Sequence, residues 1–542
     1  MTISATPTVL DGCLIVRGKV VLTKVPETVV AYPASSGSAF LGASSTSMSS
    51  HHIFTLGVLE GFRLMSIFRF KIWWMIPSFG DSGSDVPVET QVLLELKRLV
   101  STMMMLRRRH LKARCTFFFC LCRKDSSGPA CQELQKMSSN SALKVNAGET
   151  QGTFSHVEDK KVPPHLDWFG WCTWDAFYTR VNPQGIREGL KSYLASCGVD
   201  GVKVDIQDVV EALGSAYGGR VMLTKKYQEA LEESVLKNFK DNNLICSMSQ
   251  NTDFFYSSKK SPVARVSEDY MPHVPAIQTS HVAAVAFNSF FQGEIAAVDW
   301  DMFQSDHITA DFHAAARALG GCAVYVSDKP GKHDFKILKK LVLPDGSILR
   351  ARYAGHPTHD CLFNDPVTDG KSLLKIWNMN KFSGVLGVFN CQGAGSWNTK
   401  IDVGDFKRDT RQDLPLSAHP PVSGHISPLD IESLGNAASE TWTGHCAVYA
   451  FNSGALYTLP KKGNLKVSLD VLKYEIFTVC PIGNYGENFR FSPIGLLDMY
   501  NSGGAVESLK HTDDSSGCSP DDGLLTVTLP GECSLKEIQV LY

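Results

Sequence analysis

The sequence predicts a multidomain α/β plus β protein, with a central α/β domain between two β-rich domains. Three observations predict it. Between residues 163 and 344, strand-like and helix-like runs alternate, which implies a parallel sheet with right-handed crossovers. Before residue 90 and after residue 345, short apolar runs are separated by Gly, Ser and Pro clusters, the pattern of strands and turns. Finally, 542 residues with 43% hydrophobic content can bury more than one core, so two to four domains are expected.

Residues 1–90 form the first β domain. Phe68, Phe70, Ile72 and Trp74 recur at period two and predict one half-buried strand, while the Ser/Gly-rich stretch from Ala34 to Ser50 reads as loop. Residues 91–162 read as an irregular basic, cysteine-rich linker. Cys115, Cys120, Cys122 and Cys131 surround Phe117 and Phe119 but lack the Cys-x2-Cys pairs of a metal knuckle.

Residues 163–344 carry the α/β pattern. Leu166 to Asp175 reads as a strand ending in aromatics. A helix over 182–196 follows, with Asn182 as N-cap and Pro183 at its first turn. Gly198-Val-Asp-Gly-Val-Lys-Val-Asp205 reads as a buried parallel strand, then come a helix from Lys226 to Phe239 and strands at Leu244–Ser249 and Ala264–Ser267. A helical stretch near Ala310–Leu319 precedes a strand at Cys322–Ser327. Residues 345–542 return to β structure, with strands expected at 373–377, 384–390, 446–451, 465–479 and 524–529.

The chemistry concentrates at strand ends. Asp205 closes an apolar strand with Lys203 two residues earlier on the same face, which gives a carboxylate a fixed position and a nearby positive charge, as a nucleophile requires. About sixty residues on, Arg265-Val-Ser-Glu-Asp-Tyr270 offers a second acid, Asp269, with Arg265 placed to hold a hydroxyl or a carboxylate. Two acids on neighbouring strand ends are the minimum for glycoside chemistry. Taken alone, Asp205 reads equally well as a helix cap and Arg265 with Asp269 as a surface ion pair. Trp168, Trp171, Trp174 and Trp300 offer aromatic faces for a pyranose, with core packing as the plainer reading. Asp306, His307, Asp311 and His313 resemble metal ligands by type but lack a His pair at i, i+4, so no metal is expected, and no cofactor motif stands out.

A net charge of −2 argues against a nucleic-acid partner, and the apolar window from Phe62 to Ile76 is broken by Arg63, Arg69 and Lys71, which argues against a membrane span. Fifteen scattered cysteines suit a reduced compartment. The N-terminus lacks the basic and apolar regions of a secretory signal, so the cytosol is expected, with a plastid address left open. Oligomeric state is not legible.

Together, Trp168-Phe-Gly-Trp-Cys-Thr-Trp-Asp-Ala-Phe-Tyr178, the Asp205 strand, Arg265 to Tyr270, Asp299-Trp-Asp-Met-Phe303, Val326-Ser-Asp-Lys-Pro-Gly331, Leu343-Pro-Asp-Gly-Ser347 and Val388-Phe-Asn-Cys-Gln-Gly-Ala-Gly395 resemble the plant raffinose synthase family. That family includes the seed imbibition proteins and alkaline α-galactosidases of glycoside hydrolase family 36. The resemblance implies a (β/α)8-type barrel flanked by β domains, and retaining galactosyl transfer on small carbohydrates: galactinol as donor, sucrose as acceptor, raffinose as product. It implies Asp205 as nucleophile and Asp269 as general acid/base, about 5 to 5.5 Å apart. Lys203, Arg265 and Asp301 would bind the sugar, and Trp174 and Trp300 would shape its pocket.

The chain departs from the family in several respects: its N-terminal domain is cut short after residue 90 and replaced by the basic, cysteine-rich stretch, His273, His356 and His359 stand where relatives tend to have arginine, and a segment before the Asp205 strand is shortened. The family carries a long segment between the 182–196 helix and the Asp205 strand, including an Asp-Asp-Gly-Trp motif. Here about thirty residues join Trp174 to Val204. The α/β region is roughly 170 residues against about 250 for a typical barrel, so five or six strands are expected in place of eight. Two other readings stand beside the transferase: an alkaline α-galactosidase, and an inactive remnant or incomplete gene product.

Overall fold

The computed structural model describes strands between residues 8 and 120, residues 157–162 and 171–172, residues 200–392 with gaps of one or two residues, and then 420–485, 490–513 and 523–529. It falls into two compact units, one of residues 1–267 with 291–297, the other of residues 268–290 with 298–542.

The first unit opens with antiparallel sheets. Phe62–Phe70 and Trp74–Gly80 pair as a hairpin in which Phe70 faces Trp74. The single period-two strand expected from Phe68 to Trp74 is thus two strands. The alternation survives the reversal because directly opposed residues share a face, and Phe70 and Trp74 are an even four positions apart. This sheet also crosses the boundary expected at 90: Thr90–Leu96 pairs with Phe62–Phe70, and Thr116–Cys120 pairs with Thr90–Leu96. The backbone ladder ties part of the expected linker to the β domain.

The α/β core of this unit is a parallel sheet of β1 (Trp171–Cys172), β2 (Val202–Val204), β3 (Leu244–Cys246) and β4 (Val263–Arg265), in sequence order. Its next strand, β5 (Ala297–Asp299), begins with Ala297, whose N–H donates to the Pro262 carbonyl at 2.9 Å. Val202, Val204, Leu244, Cys246, Val263 and Ala264 are buried, as apolar strands covered on both faces must be. Helix α1 (Arg220–Asn238) crosses from β2 to β3, starting six residues before its expected position and burying Leu231 and Val235. The helix expected at 182–196 lies outside the described residues.

One long element had no counterpart in the sequence reading. Helix α2 (Ile277–Gln292) is buried almost throughout, with every residue from His281 to Ser289 inside. Buried on all sides, it carries no Asp, Glu, Lys or Arg to mark a solvated face, which is why pattern reading passes over it.

In the second unit, α3 (Ala310–Ala318) falls where expected. The strand expected at 322–327 reduces to a single parallel bridge between Phe303 and Val326. The run 465–479 divides into Leu465–Leu469 and Tyr474–Asn484 around Leu472, whose φ is +60°. No boundary falls at 345. Phe312 of α3 meets Phe389 edge-on at 5.3 Å, and the Asn378 side chain donates to the Leu319 carbonyl at 2.7 Å, which binds α3 and the C-terminal sheet into one core.

Candidate active site

In the first unit, β2 leaves a left-handed turn at Gly198 (φ +80°) and runs to Asp205. Gly201 is required by close packing, since a Cβ there would lie 2.6 Å from that of Asn243. Val202 and Val204 are buried, whereas Lys203 and Asp205, on the other parity, are intermediate in exposure. The Asp205 Oδ1 atom is buried and, among the described residues, has no hydrogen-bond donor. A carboxylate oxygen so placed is costly, and active sites are where such atoms are kept. Arg265 ends β4 and is buried; its carbonyl accepts from Gln250 Nε2 at 3.3 Å, and Gln250 Oε1 accepts the Met75 N–H at 2.7 Å. The hairpin of the β domain thereby fixes the end of a sheet strand. Trp168 and Trp174 lie outside the described residues.

The chain enters the second unit at Glu268, which is buried, as is Tyr270, while Asp269 between them is exposed. Buried flanks anchor the segment and turn one acid toward solvent. The Tyr270 N–H donates to Asp301 Oδ2 at 2.8 Å. Asp301 is 2% exposed and adopts φ +62°, a left-handed conformation unfavourable for a non-glycine residue. Its N–H donates to Asp299 Oδ1 at 2.9 Å, and the Tyr325 hydroxyl donates to Asp299 Oδ2 at 2.8 Å. Trp300 is 1% exposed, and a Cβ on Gly320 would lie 2.5 Å from its Nε1. In this conformation the indole packs as core and offers no face to a ligand.

A buried arginine holds this segment. Arg317 donates from Nε to the Asp301 carbonyl at 2.9 Å, and from Nη2 to the carbonyls of Trp300 at 2.9 Å and Met302 at 2.8 Å. Its Nη1 lies 3.0 Å from His313 Nδ1. A guanidinium only donates, so Nδ1 is the acceptor and Nε2–H donates to Gln278 Oε1 at 3.1 Å. Burial, reinforced by the Arg317 charge, holds His313 well below the usual histidine range, so it is neutral. Gln278 Nε2 in turn donates to the Met271 carbonyl at 2.9 Å, just past Asp269.

The four residues of metal-ligand type do not gather at one point among the described residues, although Thr309 and Gln278 link the two histidines in one hydrogen-bond network. His307 bonds Thr309 and the Pro272 carbonyl, His313 bonds Arg317 and Gln278, Asp311 accepts from Tyr474, Tyr500 and Lys340, and Asp306 is exposed. Of the expected site residues, Asp205, Lys203 and Arg265 belong to the first unit, and Asp269, Trp300 and Asp301 to the second. Pattern reading passed over Arg317 and Tyr325. The Asp-x-Asp spacing at 299 and 301 was the available signal that this segment carries buried charge.

The sequence model described as raffinose synthase or seed imbibition protein Sip1 matches residues 8–104, 137–192 and 187–534. Probable galactinol-sucrose galactosyltransferase 1 of Arabidopsis thaliana is 35% identical over an alignment 703 positions long, gaps included, covering 95% of this chain and 92% of that protein. The galactinol-sucrose galactosyltransferase of Pisum sativum is 31% identical over 674, covering 88% and 82%. α-Galactosidase I from Mortierella vinacea shares 9% identity at a TM-score of 0.34, covering 59% of this chain and 98% of that one, a likeness too low to carry weight. With most of its length matched by one family's model and by full-length relatives, the chain belongs to the raffinose synthase or seed imbibition protein Sip1 family.

Proposed function

We propose that this chain is an enzyme of raffinose-family oligosaccharide metabolism that moves a galactosyl group from galactinol to sucrose with retention. Family membership and the galactosyltransferase activity for which the relatives are named support the reaction class. The observation that carries the site is the Asp205 carboxylate, at the C-terminal end of a parallel strand and with a buried oxygen that lacks a donor among the described residues. In this reading Asp205 attacks the anomeric carbon as Asp269 protonates the departing inositol oxygen. The resulting galactosyl ester is then opened by a sucrose hydroxyl that Asp269 deprotonates. Lys203 and Arg265 would hold galactose hydroxyls.

The family match comes in pieces that part at 105–136 and meet again at 187–192, the regions where the sequence reads as irregular and shortened. This supports a barrel with fewer than eight strands. Hydrolysis is the second reading, favoured by the exposure of Asp269, which water can reach.

The test is to incubate the purified chain with galactinol and sucrose. Raffinose formed by wild type and not by Asp205→Ala supports transfer. Galactose released without sucrose moves the assignment to hydrolysis, and neither product from a folded wild type rejects both.

A further inference from the structure

We infer that Asp301 is a positioning residue for Asp269, acting through the peptide bond between Asp269 and Tyr270; this rests on the galactosyl-transfer reading above. The family resemblance assigns Asp301 to sugar binding, but its carboxylate is turned inward. It is 2% exposed, and Oδ2 accepts the Tyr270 N–H at 2.8 Å, one residue from the proposed acid/base. The backbone is set for that task. Asp301 takes φ +62°, its N–H is held by Asp299 Oδ1 at 2.9 Å, and its carbonyl by Arg317 Nε at 2.9 Å. A left-handed aspartate fixed on both sides of its Cα has little freedom to aim elsewhere.

The opposite end of the Asp269 segment is tied independently. Gln278 Nε2 donates to the Met271 carbonyl at 2.9 Å, and His307 Nε2 meets the Pro272 carbonyl at 3.1 Å. Asp269 is therefore exposed at its tip and clamped behind, as a group that must repeatedly give and take one proton at a fixed point should be. Asp299, bonded to the Tyr325 hydroxyl at 2.8 Å, completes the frame.

The test compares Asp301→Ala with Asp301→Asn, whose amide oxygen can still accept the Tyr270 N–H. Hydrogen exchange over residues 268–274 reads the clamp without turnover: Asp301→Ala should speed exchange about tenfold or more, and Asp301→Asn much less. Unchanged exchange in a folded Asp301→Ala overturns the inference, whether or not the wild type is active. Turnover adds a reading that a merely structural role would not move. Asp301→Ala should lose about tenfold or more on galactinol, whose leaving group needs a proton, but little in the first step on an aryl α-galactoside with an acidic phenol. Added azide, which needs no general base, should restore the second step as galactosyl azide. Equal loss on both donors without azide rescue overturns the inference. A wild type inactive on both donors rejects the galactosyl-transfer reading, while the exchange result still decides the clamp. If Asp301→Ala does not fold, Tyr325→Phe, which loosens the Asp299 carboxylate that holds the Asp301 N–H, is measured the same way, and unchanged exchange with normal leaving-group dependence overturns the inference.

Discussion

Arg317 holds Asp301 by its backbone: Nε donates to the Asp301 carbonyl at 2.9 Å, inside a set of donations that also takes in the carbonyls of Trp300 and Met302. Three consecutive carbonyls are satisfied by one fully buried guanidinium, a task its planar fork suits and a single ammonium does not.

Arg317→Met should therefore cost about 3–5 kcal/mol, because the carbonyls lose their donors in a buried setting. Arg317→Lys should recover less than half of that. Denaturant unfolding of the three proteins checks both values, and a loss under about 1 kcal/mol for methionine would remove Arg317 from this role.

His313 is neutral in the folded chain, since burial and Arg317 lower its proton affinity. The unfolded chain takes up that proton below about pH 6.5, so its contribution to stability is full above that value and declines as pH falls toward 5. The decline is at most about 1.4 kcal/mol per pH unit from this residue. His313→Asn should flatten the stability profile between pH 6.5 and 5, which thermal melts across that window would show.

Burial would raise the Asp311 carboxyl, yet donors from Tyr474, Tyr500 and Lys340 hold it below the ordinary aspartate range. A depressed folded value means that the stability it contributes is present above about pH 4 and is lost as pH falls through the folded value. The side chain is 44% exposed, so screening keeps the effect under about 1 kcal/mol. The stability gap between wild type and Asp311→Asn should close on acidification from pH 5 to pH 3.

Gly321 takes φ +74°, and a Cβ there would collide with the Tyr353 carbonyl oxygen. Gly321→Ala should destabilise the second unit by about 2–4 kcal/mol, from left-handed strain plus overpacking. An unchanged melting temperature would mean that the 353 segment yields freely.

Asp205→Ala should abolish galactosyl transfer while leaving the melting temperature equal or higher, because it removes a buried oxygen without a donor among the described residues. A marked fall in stability would instead make Asp205 a structural cap.

Much of the α/β core was legible because buried parallel strands are continuous apolar runs. The segments ending at Asp205 and Arg265 fall close to where pattern reading puts them. The hairpin at Phe70 and Trp74 was hidden because reversal preserved the period, and α2 because it carries no charged residue to mark a solvated face. Arg317 was hidden too, since a basic residue in an alanine-rich helix reads as solvated.

By itself the sequence determined the alternation of strands and helices around the Asp205 strand, the family, and which acids stand at strand ends, because periodicity and motif are local properties of the chain. Only the tertiary structure decided which acids are buried, exposed or hydrogen-bonded within each unit. Glu268 and Asp269 are adjacent and chemically alike, yet one is buried and the other exposed. Asp301 is occupied by Tyr270, whereas Asp205 keeps a buried oxygen without a donor among the described residues. The physical reason is that burial and hydrogen-bond satisfaction are settled by partners such as Tyr270 for Asp301 or Arg317 for its carbonyl, 31 and 16 positions away, which no local pattern brings together.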